Sequence, residues 1–201
     1  PLYGSSLRRS APLSIAHQAL TNSNSVSFVN NTTSVSSSQI VDMARKTLGS
    51  AGENFMDGYF KGQGWKSIPR LRSQGIDHLL YRRSGKGIKV IIVETKTGTS
   101  QLHDTTKRGY QMSQEWILKD LNERLTEYGK KLRYATSAKE QGELRQTITT
   151  LKKIEKVVKS GNYRRILARV STKSGMLTIE FHTLKEIGGR IVKDSLVPTR
   201  F

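Results

Sequence analysis

The chain has 201 residues, enough for one domain with a tail or small module, and 35% of them are hydrophobic. Its 34 Lys and Arg against 16 Asp and Glu leave a formal net charge of +18, a field that draws polyanions, nucleic acid ahead of acidic membrane or an acidic protein. The lack of cysteine excludes disulfides, thiol nucleophiles and cysteine zinc sites, and no apolar stretch is long enough to span a bilayer.

Residues 1–38 are set apart by composition. From Thr21 to Ser38 the chain is nearly all Ser, Thr and Asn. These side chains hydrogen-bond locally and compete with regular structure. The stretch reads as a linker or loosely docked arm, with Val26, Phe28 and Val29 as weak anchors. The start, Pro1-Leu2-Tyr3-Gly4, has no initiator methionine and no signal-peptide apolar core. The chain is therefore expected to be a fragment or processed product of a longer protein. Residues 39–201 are expected to form the folded domain.

Ile40, Val41, Met43, Ala44 and Leu48 predict a short amphipathic helix closed by Gly49. Ser50-Ala51-Gly52-Glu53 matches a capping box, opening a second helix to about Phe60 that Gly62-Gln63-Gly64 stops. Trp65 begins an irregular link containing Pro69. Ile76–Arg83 predicts a strand, Ser84-Gly85-Lys86-Gly87 a turn, and Ile88–Thr97 a second strand, apolar on both faces and so central. Met112 to about Tyr134 is expected to be helical, with Ile117, Leu121, Leu125, Tyr128 and Leu132 on one stripe. Lys139–Lys159 follows as another helix, with Leu144, Ile148, Leu151 and Val158 facing it. The two are expected to pack antiparallel, with Lys and Arg on their outer faces. Tyr163–Ser171 and Met176–Thr183 then predict a hairpin around Lys173-Ser174-Gly175. The order ααββααββ gives an α/β fold, a sheet flanked by helices.

The chemistry concentrates where the central strand ends, in Ile91-Ile92-Val93-Glu94-Thr95-Lys96. Residues two apart on a strand point the same way, so Glu94 and Lys96 share a face. A hairpin centred between Gly85 and Lys86 sets Ser84 against Gly87, Arg83 against Ile88, and Asp77 against Glu94. Directly opposed residues have Cβ atoms ~4.5–5.5 Å apart, and like charges so placed repel. A divalent cation between them turns that repulsion into an oxygen-ligand site. Mg²⁺ held there suits phosphodiester hydrolysis, with Lys96 positioning water or balancing phosphate charge.

Asp77, a hairpin, and Glu94-Thr95-Lys96 together resemble the core of the PD-(D/E)xK nucleases, the restriction-endonuclease-like fold. The resemblance covers roughly residues 50–118. It implies a central mixed sheet flanked by helices, to which the two basic helices would be a hairpin insertion. It implies a metal-dependent endonuclease using Mg²⁺ or Mn²⁺, with Asp77, Glu94 and Lys96 as the cleaving set. Glu53 matches the additional acid of many members and would be a third metal ligand. Gln111, in Tyr110-Gln111-Met112-Ser113, resembles the extra polar residue of some members. The proline that often precedes the first acid is replaced here by Ile76. A looser similarity, extending to Trp116-Ile117, links the segment to C-terminal nuclease domains of bacterial polymorphic and contact-dependent inhibition toxins. That similarity implies delivery as part of a larger toxin, action in a target-cell cytoplasm, and an acidic immunity protein as partner. DNA is favoured over RNA as substrate.

Plainer readings stand beside these. Glu94 and Lys96 could be a strand end reaching solvent, Asp77 a surface acid, Glu53 only a capping residue, and Gln111 only a helix-start residue. Trp65 and Trp116 read as core more than as base-stacking platforms. His17, His78, His103 and His182 lack metal-binding spacing, and His103 lies just beyond the core strand. Lys130, Lys131, Lys152, Lys153, Arg164 and Arg165 read as a phosphate-tracking surface, with solvated helix faces as the alternative. An RNase or tRNase, a non-catalytic basic nucleic-acid-binding module, or an interaction domain for a membrane or acidic protein remain as other functions.

Overall fold

The structure is a computed structural model and describes residue 53 and residues 56–72, 74–105, 108–173 and 176–196. The expected arm over 1–38, the helix over 40–48 and the Ser50 end of the capping box lie outside the described residues.

Within them the fold is mixed α/β. A six-stranded sheet has the order β1-β2-β3-β6-β7-β8, from β1 (Lys66–Ile68), β2 (His78–Ser84), β3 (Gly87–Thr97), β6 (Arg164–Lys173), β7 (Met176–Ile187) and β8 (Arg190–Leu196). Only β3 and β6 pair in parallel; the other neighbours are antiparallel. A small separate ribbon joins β4 (Asp104–Thr105) to β5 (Gly109–Tyr110). Helix α1 spans residues 56–62, α2 Gln114–Tyr134 and α3 Ala138–Lys159.

The strand β3 is central, as its two-faced apolarity requires. Val90 and Ile92 enter one core with Trp116, Ile117, Leu121 and Tyr128 of α2 and Leu151, Ile154 and Val158 of α3. Ile91 and Val93 enter a second core on the other face, with Met56 and Phe60 of α1, Trp65 and Phe181. Met56 and Phe60 are one helical turn apart and fully buried, which fixes the face of α1. Its end is a Schellman motif. Trp65 N donates to Phe60 O, Gly64 N donates to Lys61 O, and Gly64 takes the left-handed conformation at φ +78°.

The helical pair is not an insertion. It is the crossover that any parallel strand pair needs, carrying the chain from the end of β3 back to the start of β6. Ser113 and Ser137 cap the two helices, accepting from Trp116 N and Glu140 N. Buried residues stop at Tyr128 in α2 and begin at Leu151 in α3, so the far half of the hairpin stands clear of the sheet. Trp65 and Trp116 are both core residues, 5% and 3% exposed.

Two elements differ from expectation. The segment Lys66–Ile68, read as irregular, is an edge strand too short to show alternation. The chain after Thr183 stays in β7 and returns as β8 through Gly188-Gly189, both at positive φ. Two successive left-handed residues make the type I′ turn that matches the twist of a hairpin.

Candidate active site

The β2–β3 register places the site. Ser84 pairs with Gly87 and Arg83 with Ile88, continuing to His78 opposite Val93. Gly85, at φ +57°, supplies the positive angle that a two-residue turn needs at its first central position. One step beyond the ladder, Asp77 stands beside Glu94, as the sequence register requires. Asp77 Oδ2 accepts from Thr95 N at 2.8 Å, which ties the carboxylate to the end of β3.

Glu94 is 3% exposed, so it is no solvent-facing strand end. It follows Ile92 on the face covered by α2 and α3. Its Oε1 accepts from Lys96 Nζ at 2.9 Å and from Gln111 Nε2 in a short contact. Its Oε2 is buried without a hydrogen-bond partner. Burial, and then the Asp77 charge, push the carboxyl up to about 8; the Lys96 ammonium opposes them. Thr95 Oγ1, next to it, is also buried without a partner.

Gln111 reaches Glu94 because the β4–β5 ribbon folds the chain back. Gln111 N donates to His103 O, and Met112 takes φ +70° ahead of the Ser113 cap. Gln111 is thus a turn residue before α2, and its amide closes over the carboxylate. Lys96 links the buried pair to solvent. It lines an open cleft of about 300 Å³ with Glu53, Thr95, Ser100, Gln101 and His103.

Glu53 joins the site indirectly. Arg70 donates to Asp77 Oδ1 at 2.7 Å and reaches Glu53 Oε2 at 3.5 Å. The guanidinium therefore stands between the two acids. Among the described residues no group of three or more His, Cys, Asp or Glu side chains is gathered as a metal cluster. The expected triple of Asp77, Glu94 and Glu53 reduces to an adjacent pair, with Glu53 across Arg70.

The expected phosphate-contacting cations divide. Lys131, Lys152, Lys153 and Arg164 are exposed. Lys130 is exposed and pairs with Glu127 at 3.2 Å. Arg165 is turned inward, 2.9 Å from Glu186 and stacked 5.1 Å from the Tyr163 ring centroid. Its place on β6 beside the core, not its charge, decides that orientation.

Sequence reading missed two features near the site. Arg70 belongs to it through a contact that spans an irregular link. Asp120 and Arg124, one helical turn apart on α2, form a buried pair at 2.7 Å. Arg124 also donates to the carbonyls of Ile68 and Ile76, and Ile76 N donates to Asp120 Oδ1. That network holds the strand-free segment leading into Asp77. The visible signal was a pair of opposite charges on the apolar stripe of α2. On the other sheet face, buried His78 places Nδ1 2.9 Å from Asp57 Oδ1, away from the carboxylate pair.

No protein-family model, no curated protein and no solved structure matches this chain.

Proposed function

We propose that this chain is a divalent-cation-dependent nuclease with a restriction-endonuclease-like core, acting on nucleic acid, DNA before RNA. The observation that carries the reading is Glu94: a carboxylate sunk in a sheet beside Asp77, with one oxygen unpartnered. A buried carboxylate oxygen without a donor is costly unless a cation or proton meets it. Mg²⁺ and Mn²⁺ fit the donors present, which are carboxylate oxygens. Mg²⁺ in particular is commonly held by one or two carboxylates, with water and substrate phosphate completing its shell.

Asp77 and Glu94 would hold the ion, and Glu53 would join once Arg70 moves aside. A bound ion would supply Lewis-acid polarisation of the scissile phosphate and an acidified water. The chain's own residues set the rest. Thr95 N fixes Asp77, and Gln111 fixes Glu94 Oε1, so Oε2 is the free ligand atom. Lys96 touches Glu94 and lines the cleft, so its ammonium would offset charge developing on a phosphate held there. Without a divalent ion, the raised Glu94 keeps a proton at neutral pH. The net charge of +18 holds the polyanion against the chain.

Purified protein is incubated with plasmid DNA and with tRNA, with and without EDTA. Cleavage is expected only with Mg²⁺ or Mn²⁺, and should fall about 100-fold or more in Glu94→Gln and in Lys96→Ala. Cleavage that survives EDTA, or wild-type rates in both variants, refutes the reading.

A second reading rests on Arg70 and Lys96, which already offset Asp77 and Glu94: a non-catalytic, basic nucleic-acid-binding module. It predicts salt-sensitive binding without products. The resemblance to toxin domains adds a proposal of delivery into a target cell and restraint by an acidic immunity protein. Co-purification with a neighbouring gene product that blocks toxicity on expression is the matching test.

A further inference from the structure

The cations of this chain are unevenly neutralised. Around the site and on nearby helix faces they are paired: Arg70, Arg72, Lys96, Lys119, Lys130 and Lys159 each meet a carboxylate. Others, including Lys131, Lys152 and Arg164, meet none among the described residues, and four such cations gather at the opposite end of β3. Arg83 and Lys86, at the β2–β3 turn, and Lys153 and Lys156, one turn apart on α3, line a groove of about 470 Å³ floored by Ile88 and Val157. All four are exposed, and among the described residues none has a carboxylate partner.

The groove is built into the fold. Ile88 and Val157 pack onto the main core, which fixes α3 against the turn. The turn backbone presents little bulk: a side chain at Gly85 would meet nothing within 4 Å. Four like charges around one concavity set up a local positive field that draws an anionic occupant. Ile88 and Glu94 lie on the same face of β3, six residues apart, which is about 20 Å. At 3.4 Å rise per nucleotide in a duplex strand, that spans about six base pairs.

We infer that the groove between the β2–β3 turn and α3 is a phosphate-backbone binding site, separate from the carboxylate pair, that holds a nucleic-acid duplex about six base pairs from that pair. It rests on the nucleic-acid reading above, yet it stands whether or not the chain cleaves. The groove reads charge and spacing, not base sequence.

The test uses the full chain carrying Glu94→Gln, in EDTA, so that no turnover enters. A fluorescent 20-base-pair DNA duplex is titrated at several salt concentrations. The same chain with Arg83→Gln, Lys86→Gln, Lys153→Gln and Lys156→Gln should bind at least tenfold more weakly at low salt. Its slope of log affinity against log salt should be shallower by about 2 to 4, at about 0.9 for each phosphate no longer neutralised. Lys86→Arg with Lys153→Arg and Lys156→Arg should keep both. Thermal melts confirm folding; if the fourfold variant melts early, the pair Lys86→Gln and Lys153→Gln is read instead, with half the slope change. Unchanged affinity and slope overturn the proposal. So does intact duplex binding alongside lost binding to phosphatidylserine vesicles, which would assign the groove to a membrane surface. Cleavage assays on the wild type decide the nuclease reading separately.

Discussion

Asp77 and Glu94 are neighbours across the end of the β2–β3 ladder, yet their carboxylates meet unlike surroundings. Asp77 uses both oxygens, one on Arg70 and one on Thr95 N. Glu94 gathers Lys96 and Gln111 on a single oxygen and leaves the other bare. Burial pushes the Glu94 carboxyl up to about 8. On the proposed cation-dependent reading, the asymmetry makes Glu94 the half of the pair that would respond to a cation.

Stability should report that response. An unfolded glutamate loses its proton near 4.5, whereas the folded Glu94 keeps it to about 8. Folded-state stability from this group is therefore complete below about pH 4.5 and lost as pH rises towards 8. Glu94→Gln cannot ionise. In EDTA its melting temperature relative to wild type should climb between pH 5 and pH 8, and Mg²⁺ should narrow the gap at pH 8 by stabilising wild type alone. An equal gap at both pH values in calorimetry would mean that Glu94 is ionised in the fold.

Arg70 occupies the Asp77 oxygen that a divalent ion would use. Arg70→Ala should tighten Mn²⁺ binding several-fold, as read by isothermal titration calorimetry. The same change should destabilise the metal-free protein by about 1–2 kcal/mol, because the half-buried Asp77 loses its charged donor. Weaker Mn²⁺ binding would instead make Arg70 an organiser of the acids.

The Asp120–Arg124 pair supports the approach to Asp77 from beneath. Both side chains are 5% exposed. Asp120→Ala leaves an uncompensated buried guanidinium and should cost about 3–5 kcal/mol in denaturant unfolding, and Asp120→Ala with Arg124→Met should recover part of it. Gly75→Ala should harm the same place. Gly75 sits at φ +124°, and an added Cβ would lie 2.0 Å from Asp120 Oδ1. A Gly75→Ala chain as stable as wild type would show that this segment can shift freely.

The hairpin register was legible because a two-residue turn leaves no freedom: once Ser84 faces Gly87, Asp77 must approach Glu94. The helices were legible from their stripes. The strand β8 had its signal in Gly188-Gly189 between Ile187 and Ile191-Val192, where a type I′ turn was open to reading. Arg70 had none. With so many Lys and Arg in the chain, which one closes on Asp77 depends on the path of the link from Pro69 to Ile76, and no periodicity encodes that path. Arg165 shows the same limit, since its charge suggested phosphate and its strand position gave it to Glu186. Glu53 was found as an acid near the site, but the guanidinium between it and Asp77 belongs to tertiary structure alone.

The parallel pairing of β3 with β6 sets an order on synthesis. Ile91 finds Arg164 about 70 residues further along, after both crossover helices have been made. A nascent chain that ends at Lys159 already contains Asp77, Glu94, Lys96 and Gln111, yet it presents β3 as an open edge, available to proteases and to other unpaired strands. The residues of the site thus precede its architecture on the ribosome, and the segment after Lys159 decides when the carboxylates become buried.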